Sequence, residues 1–236
     1  MAFRALMMAD LVNNVARSWA VRGWMGLMVL QAFVTVPAST GDSTAADALA
    51  GLLGTFPILW SLFVIVNTSG AVSSEAGIVA DSILSKSVTR YEYILAKMAA
   101  RLALVLGAYL LITLPSAYLV SRYGVGKLST SGVVWAITIT GAMLVLLTSL
   151  SVGLSALFNR TMVAMIGAWG AWYAAGAITA LFRVEYLSPL DIVDTLPTTL
   201  VGDFAAADQW RILFGFALAS VAVMSVAVLH FSRKDL

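Results

Sequence analysis

The sequence predicts an all-α integral membrane protein: one domain, residues 1–236, with six transmembrane helices. An N-terminal interfacial helix precedes the spans, and re-entrant extracellular helices stand between spans five and six. Three observations carry this. Hydrophobic residues make up 61% of the chain and charged ones 11%, with a mean hydropathy of +0.93, outside the range of ordinary soluble domains. Several apolar runs reach the roughly 20 residues needed to cross a bilayer. The basic residues are also lopsided. With both termini placed inside, ten lie in inner segments (Arg4, Arg17, Arg22, Lys86, Arg90, Lys97, Arg101, Arg160, Arg233, Lys234) and four in outer ones (Arg122, Lys127, Arg183, Arg211). That is the positive-inside bias of a multi-pass protein of the plasma (inner) membrane.

Taken in order, residues 1–19 place Phe3, Met7, Leu11, Val15 and Trp19 four apart, a stripe suited to a helix lying along the membrane surface. An extension of the first span is the other reading. That span is expected from about Ala20 to Ser39, and an acidic loop, Gly41 to Ala48, follows it. The second span covers about Leu49 to Ala71, with Pro57 as a kink. The third covers about Met98 to Val120 and the fourth about Gly132 to Leu157. After the turn Phe158-Asn159-Arg160, the fifth covers about Thr161 to Phe182. Residues 183–209 hold Pro189, Pro197 and more apolar side chains than a solvated loop needs, which predicts short helices dipping back toward the outer leaflet. The sixth span runs from about Trp210 to Phe231.

The chain is organised around the polar segment 74–97, which joins spans two and three on the basic side. It reads as a helix, a sharp bend and a second helix. Thr89 and Glu92 stand at capping-box spacing: the Thr89 hydroxyl accepts from the Glu92 N–H, and the Glu92 carboxylate reaches back to the Thr89 N–H. Tyr91, Ile94, Leu95 and Met98 then recur at i, i+3, i+4 and i+7. A rigid bend of this kind, with Glu75 and Glu92 as braces and Lys86, Thr89 and Arg90 exposed, is what a soluble partner can push on. The bland alternative is that Lys86, Arg90 and Lys97 only fix orientation and touch anionic headgroups.

A family resemblance rests on these residues. Glu75-Ala76-Gly77-Ile78, Leu84-Ser85-Lys86-Ser87-Val88-Thr89-Arg90 and Ala96-Lys97 resemble the first cytoplasmic loop of type-2 ABC transporter permeases. That pattern reads roughly E-x-G-T, leucines, S-x-P-[VIL]-[ST]-R, then G-K. The closing Phe231-Ser232-Arg233-Lys234-Asp235-Leu236 is similar to the family's F-x-R-[RK]-D-[LI] ending. Ile78 departs from the usual Thr, Ser87 from Pro and Ala96 from Gly. The resemblance implies a permease subunit, in the direction of export, working with two separate ABC ATPase subunits and a second permease copy, identical or related. Glu75, Gly77, Lys86, Thr89, Arg90, Glu92 and Lys97 would form the cytoplasmic coupling segment that touches the ATPase.

The remaining residues bound the function. Ser121 and Leu128 stand where a phosphate-binding loop around Gly126-Lys127 needs Gly and Ser or Thr, so ATP and Mg are expected in the partner, with no catalytic, cofactor or metal residues in this chain. There is no Cys, hence no thiolate metal site. No removable signal peptide is expected. The Lys and Arg cluster beside the spans, which speaks against nucleic acid and for the lipid bilayer as partner. Asn67, Thr68, Thr138, Thr148 and Ser151 are candidates for a translocation path, the other reading being hydroxyls bonded back to their own helices. Absence of mid-span ionisable groups weighs against a secondary carrier. A non-transporting membrane scaffold or sensor subunit is the alternative of a different class.

Overall fold

The computed structural model describes residues 2–12, 18–41, 43–73 and 89–233. Ten α-helices lie among them: α1 Ala2–Ala9, α2 Trp19–Ala38, α3 Ala45–Thr55, α4 Ser61–Thr68, α5 Arg90–Tyr123, α6 Thr130–Leu157, α7 Thr161–Tyr173, α8 Ala175–Leu181, α9 Pro189–Val201 and α10 Ala206–Arg233. A 3-10 turn, Glu185–Leu187, precedes α9. Helix starts follow the local chemistry. Thr44, Thr89, Ser129 and Ser188 each accept a backbone N–H three residues on and so cap α3, α5, α6 and α9, supplying an acceptor to a donor the helix itself leaves unpaired. Gly202 ends α9 in the left-handed region, φ 96°, where a Cβ would be strained.

Four helices are long and apolar enough to cross a membrane: α2, α5, α6 and α10. The count becomes five if α7 and α8, bent by 54° at a short break, are one span. By length and composition they fit a multi-pass membrane protein. Of the six spans expected, the second, Leu49 to Ala71, is not one long helix. That run is two short helices, α3 and α4, separated by a non-helical turn at residues 56–60. Pro57 is the physical reason, since it has no N–H to donate and its ring clashes with the preceding turn. The fifth expected span is likewise interrupted, at Ala174.

The helices define a bundle with two ends. At one end the Val125 N–H donates to the Ser39 carbonyl (2.9 Å), the Ala45 N–H to the Val125 carbonyl (2.7 Å), and the Ser129 N–H to the Leu200 carbonyl (2.8 Å). At the other, residues 72–73 bond to Ser155 on α6, and Tyr93 stacks on Phe231 with ring centroids 6.1 Å apart. Helices α2 and α5 therefore run in the same direction. Between the ends the core is built on Trp24, Met28, Leu49, Leu53, Phe56, Tyr109, Met143, Leu144 and Phe216, all nearly inaccessible. Phe56 and Tyr109 meet edge to face at 4.8 Å. Helix α9 packs against both α3 and α6. Gly54 permits that approach, because a Cβ there would stand 2.7 Å from Val193 Cγ1.

Candidate functional site

The two stretches of described chain that flank residues 74–88 are both fixed at the same end of the bundle. On the upstream side, Ser155 Oγ accepts from the Val72 and Ser73 N–H groups at 3.0 Å each. Ser73 Oγ donates to the Ser69 carbonyl and shares a hydrogen bond with Thr161 Oγ1 at 2.9 Å. A helix end that would otherwise leave polar backbone buried is thus tied to α6 and to the start of α7.

On the downstream side, α5 opens on the capping box that the spacing predicts. The Glu92 N–H donates to Thr89 Oγ1 (3.2 Å) and the Thr89 N–H to Glu92 Oε2 (3.1 Å). The Thr89 N–H and then the Thr89 hydroxyl, which donates to the same Oε2 at 3.0 Å, hold the Glu92 carboxyl below its ordinary value of 4.5, because both favour the charged form. From this cap α5 runs 34 residues to the far end of the bundle.

One turn further along α5 sits a cluster that no sequence reading paired. Asp10, just past the end of α1, receives Lys97 Nζ on Oδ1 at 2.8 Å, while Arg101 Nε stands 3.4 Å from Oδ2. Asp10 is 3% exposed, Lys97 and Arg101 7% each. The Lys97 ammonium also lies 5.7 Å from the Tyr93 ring centroid, a cation–π distance. Lys97 and Arg101 are four apart and share one face of α5, so one carboxylate serves both. Such a buried group adds little net stability against an apolar replacement, but removing one partner strands a charge. Its consequence is geometric: α1 is fastened to the first turns of α5.

Of the residues expected to couple to a partner, Thr89, Arg90, Glu92 and Lys97 are brought to one end of the bundle. Thr89 and Glu92 lie at the exposed helix start and Lys97 faces inward. Glu75, Gly77 and Lys86 lie outside the described residues. Four of the five candidate path residues bond back to their own helices. Asn67 Nδ2 donates to the Phe63 carbonyl, Thr68 to Val64, Thr138 to Val134 and Ser151 to Leu147, each bond returning to the same helix. Thr138 is exposed, while Thr148 is buried with no bonded partner among the described residues.

A second missed constellation lies at the break in the second span. Carbonyls within the turn at residues 56–60 are met from a neighbouring helix: Trp172 Nε1 donates to Pro57 O at 2.8 Å, and Tyr173 Oη to Ile58 O at 2.6 Å. Gln31 on α2 accepts from Trp60 Nε1 (2.7 Å) and donates to Thr55 Oγ1 (2.8 Å). The break between α3 and α4 thus meets the end of α7 beside its own break from α8, and buried backbone groups that the helices leave free are paired there.

Comparison with protein-family models gives no match, and comparison with the curated proteins gives none. Among the described residues no group of three or more His, Cys, Asp or Glu is placed to hold a metal ion.

Proposed function

We propose that this chain is the permease subunit of an ATP-driven ABC transporter of the type-2 class, acting in export with two separate ATPase subunits and a second permease copy. The observation that carries the reading is the continuity of α5. It begins at a capping box beside the polar segment 74–88, is held at its root to α1 by Asp10, and extends to the opposite end of the bundle. A helix of 34 residues is about 50 Å long, so a push at Thr89 and Arg90 is felt across the whole membrane thickness. The interactions at Thr89, Glu92, Lys97 and Arg101 fix the angle of that rod. Glu75, Gly77 and Lys86 belong to the same contact by resemblance. The short helices between spans five and six are read as re-entrant, supported by the close approach of Leu187 to Gly215, nine positions inside α10.

The test is affinity purification of the full chain from its native membrane. An ATPase subunit is expected to accompany it and to hydrolyse ATP. Arg90→Glu in correctly inserted protein is expected to lower ATPase recovery, because it reverses a charge at the docking surface. Wild-type chain that purifies without any ATPase, or Arg90→Glu protein that retains full recovery and hydrolysis, overturns the reading.

A further inference from the structure

A groove runs between α2 and α5 at the end of the bundle that carries residues 39–41, 43–45 and 121–130. Its volume is about 420 Å³, and Phe33, Val36, Leu111, Pro115 and Leu119 are among its walls. Phe33, Leu111 and Leu119 are exposed in the chain. The lining is apolar along its length, while its mouth is not. Arg122 lies seven positions beyond Pro115 and eleven beyond Leu111 on α5, which returns it to the same helix face. It is exposed, and among the described residues it pairs with no carboxylate.

We propose that this groove binds one bilayer phospholipid, with an acyl chain between α2 and α5 and the headgroup phosphate on Arg122. The dimensions support this occupant. From Leu111 to Arg122, α5 rises about 16 Å, half of a hydrocarbon core of roughly 30 Å. With Arg122 at headgroup depth, the groove therefore ends near the bilayer midplane, the reach of a single leaflet's chain. Its volume falls within the roughly 300–1,000 Å³ range of small-molecule sites. A guanidinium recognises phosphate through charge-assisted hydrogen bonds. The inference rests on the chain being a membrane protein and is independent of its partners or of ATP.

Native mass spectrometry of the full chain in detergent, titrated with phosphatidylglycerol, tests it. Wild-type protein is expected to retain one phospholipid where annular lipid has been stripped. Arg122→Gln is expected to weaken retention about tenfold, the equivalent of one charge-assisted hydrogen bond. Lys127→Gln, an exposed cation at the same end that lines a different cavity, is expected to leave retention unchanged. A fluorophore on Leu119→Cys is expected to be quenched by phosphatidylglycerol brominated in its acyl chains, placing the chain in the groove even if a groove-filling Ala32→Trp variant fails to fold. Arg122→Gln that titrates like wild type overturns the proposal. So does diacylglycerol that binds as tightly as phosphatidylglycerol, or a Leu119 label that brominated lipid leaves unquenched.

Discussion

Asp10 shows how much one side chain decides at a buried site. It is the carboxylate that Lys97 and Arg101 share. Asp10→Asn keeps the shape and removes the charge, so it is expected to destabilise the protein by roughly 3 kcal/mol, in the range for breaking a buried ion pair. The triple replacement by apolar residues of similar volume should cost far less. Thermal unfolding of the two variants in the same detergent separates these outcomes. Glu92 makes a different prediction, through pH. Its folded-state pKa is lowered below 4.5 by the bonds from Thr89, so the cap contributes above that value and is lost as pH falls through the lowered pKa. Hydrogen-exchange protection at the first turn of α5 is therefore expected to be intact at neutral pH and to drop in acid, and Thr89→Ala is expected to lack that acid step. The capping box is legible in the sequence because its partners are three residues apart. The Asp10 cluster is not, because its partners are 87 and 91 positions apart and nothing local announces them.

At the scale of elements, the informative feature is the pair of interruptions that face each other. Pro57 signals a kink in the second span, but a kinked helix and two helices joined by a turn read the same in hydropathy. The difference is made by Trp172 and Tyr173, more than a hundred residues away, which supply the missing donors. Trp172→Phe leaves the Pro57 carbonyl without its indole partner and is expected to cost about 1–3 kcal/mol, the penalty of an unsatisfied buried group. Tyr173→Phe is expected to cost less, because Ser61 Oγ also donates to the Ile58 carbonyl at 2.5 Å. Both are read as shifts in Tm. The contact of α3 with α9 gives a further test. Gly54→Ala is expected to destabilise by about 1–3 kcal/mol through overpacking against Val193, and Val193→Ala is expected to recover much of that loss in the double variant.

For the whole molecule, the all-helical class and the four longest apolar helices are legible from composition and run length alone, since hydropathy over 20 residues depends on no distant contact. The interruptions at residues 56–60 and at Ala174 are set by tertiary partners and are not. The two-ended arrangement makes a test of sidedness. Residues 39–41, 43–45 and 121–130 share one end with Leu200, and residues 72–73 share the other with Thr161. The native chain has no Cys, so single cysteines report cleanly. Ser43→Cys is expected to label with an impermeant thiol reagent in intact cells and Arg160→Cys only in inverted vesicles. The reverse pattern would invert the orientation taken from the ten-to-four basic distribution.

The fastening of α1 to α5 also has a history in time. Asp10 is made early, and its ammonium partner is 87 residues later. At a translation rate of about 5–20 residues per second the carboxylate waits roughly 4–17 s for Lys97 to be made. During that interval the Asp10 carboxylate has no counter-charge from α5, and a carboxylate without one is costly to bury. The buried contact between α1 and α5 can therefore close only after Lys97 has been made, so the seat of α1 depends on a part of the chain synthesised well after it.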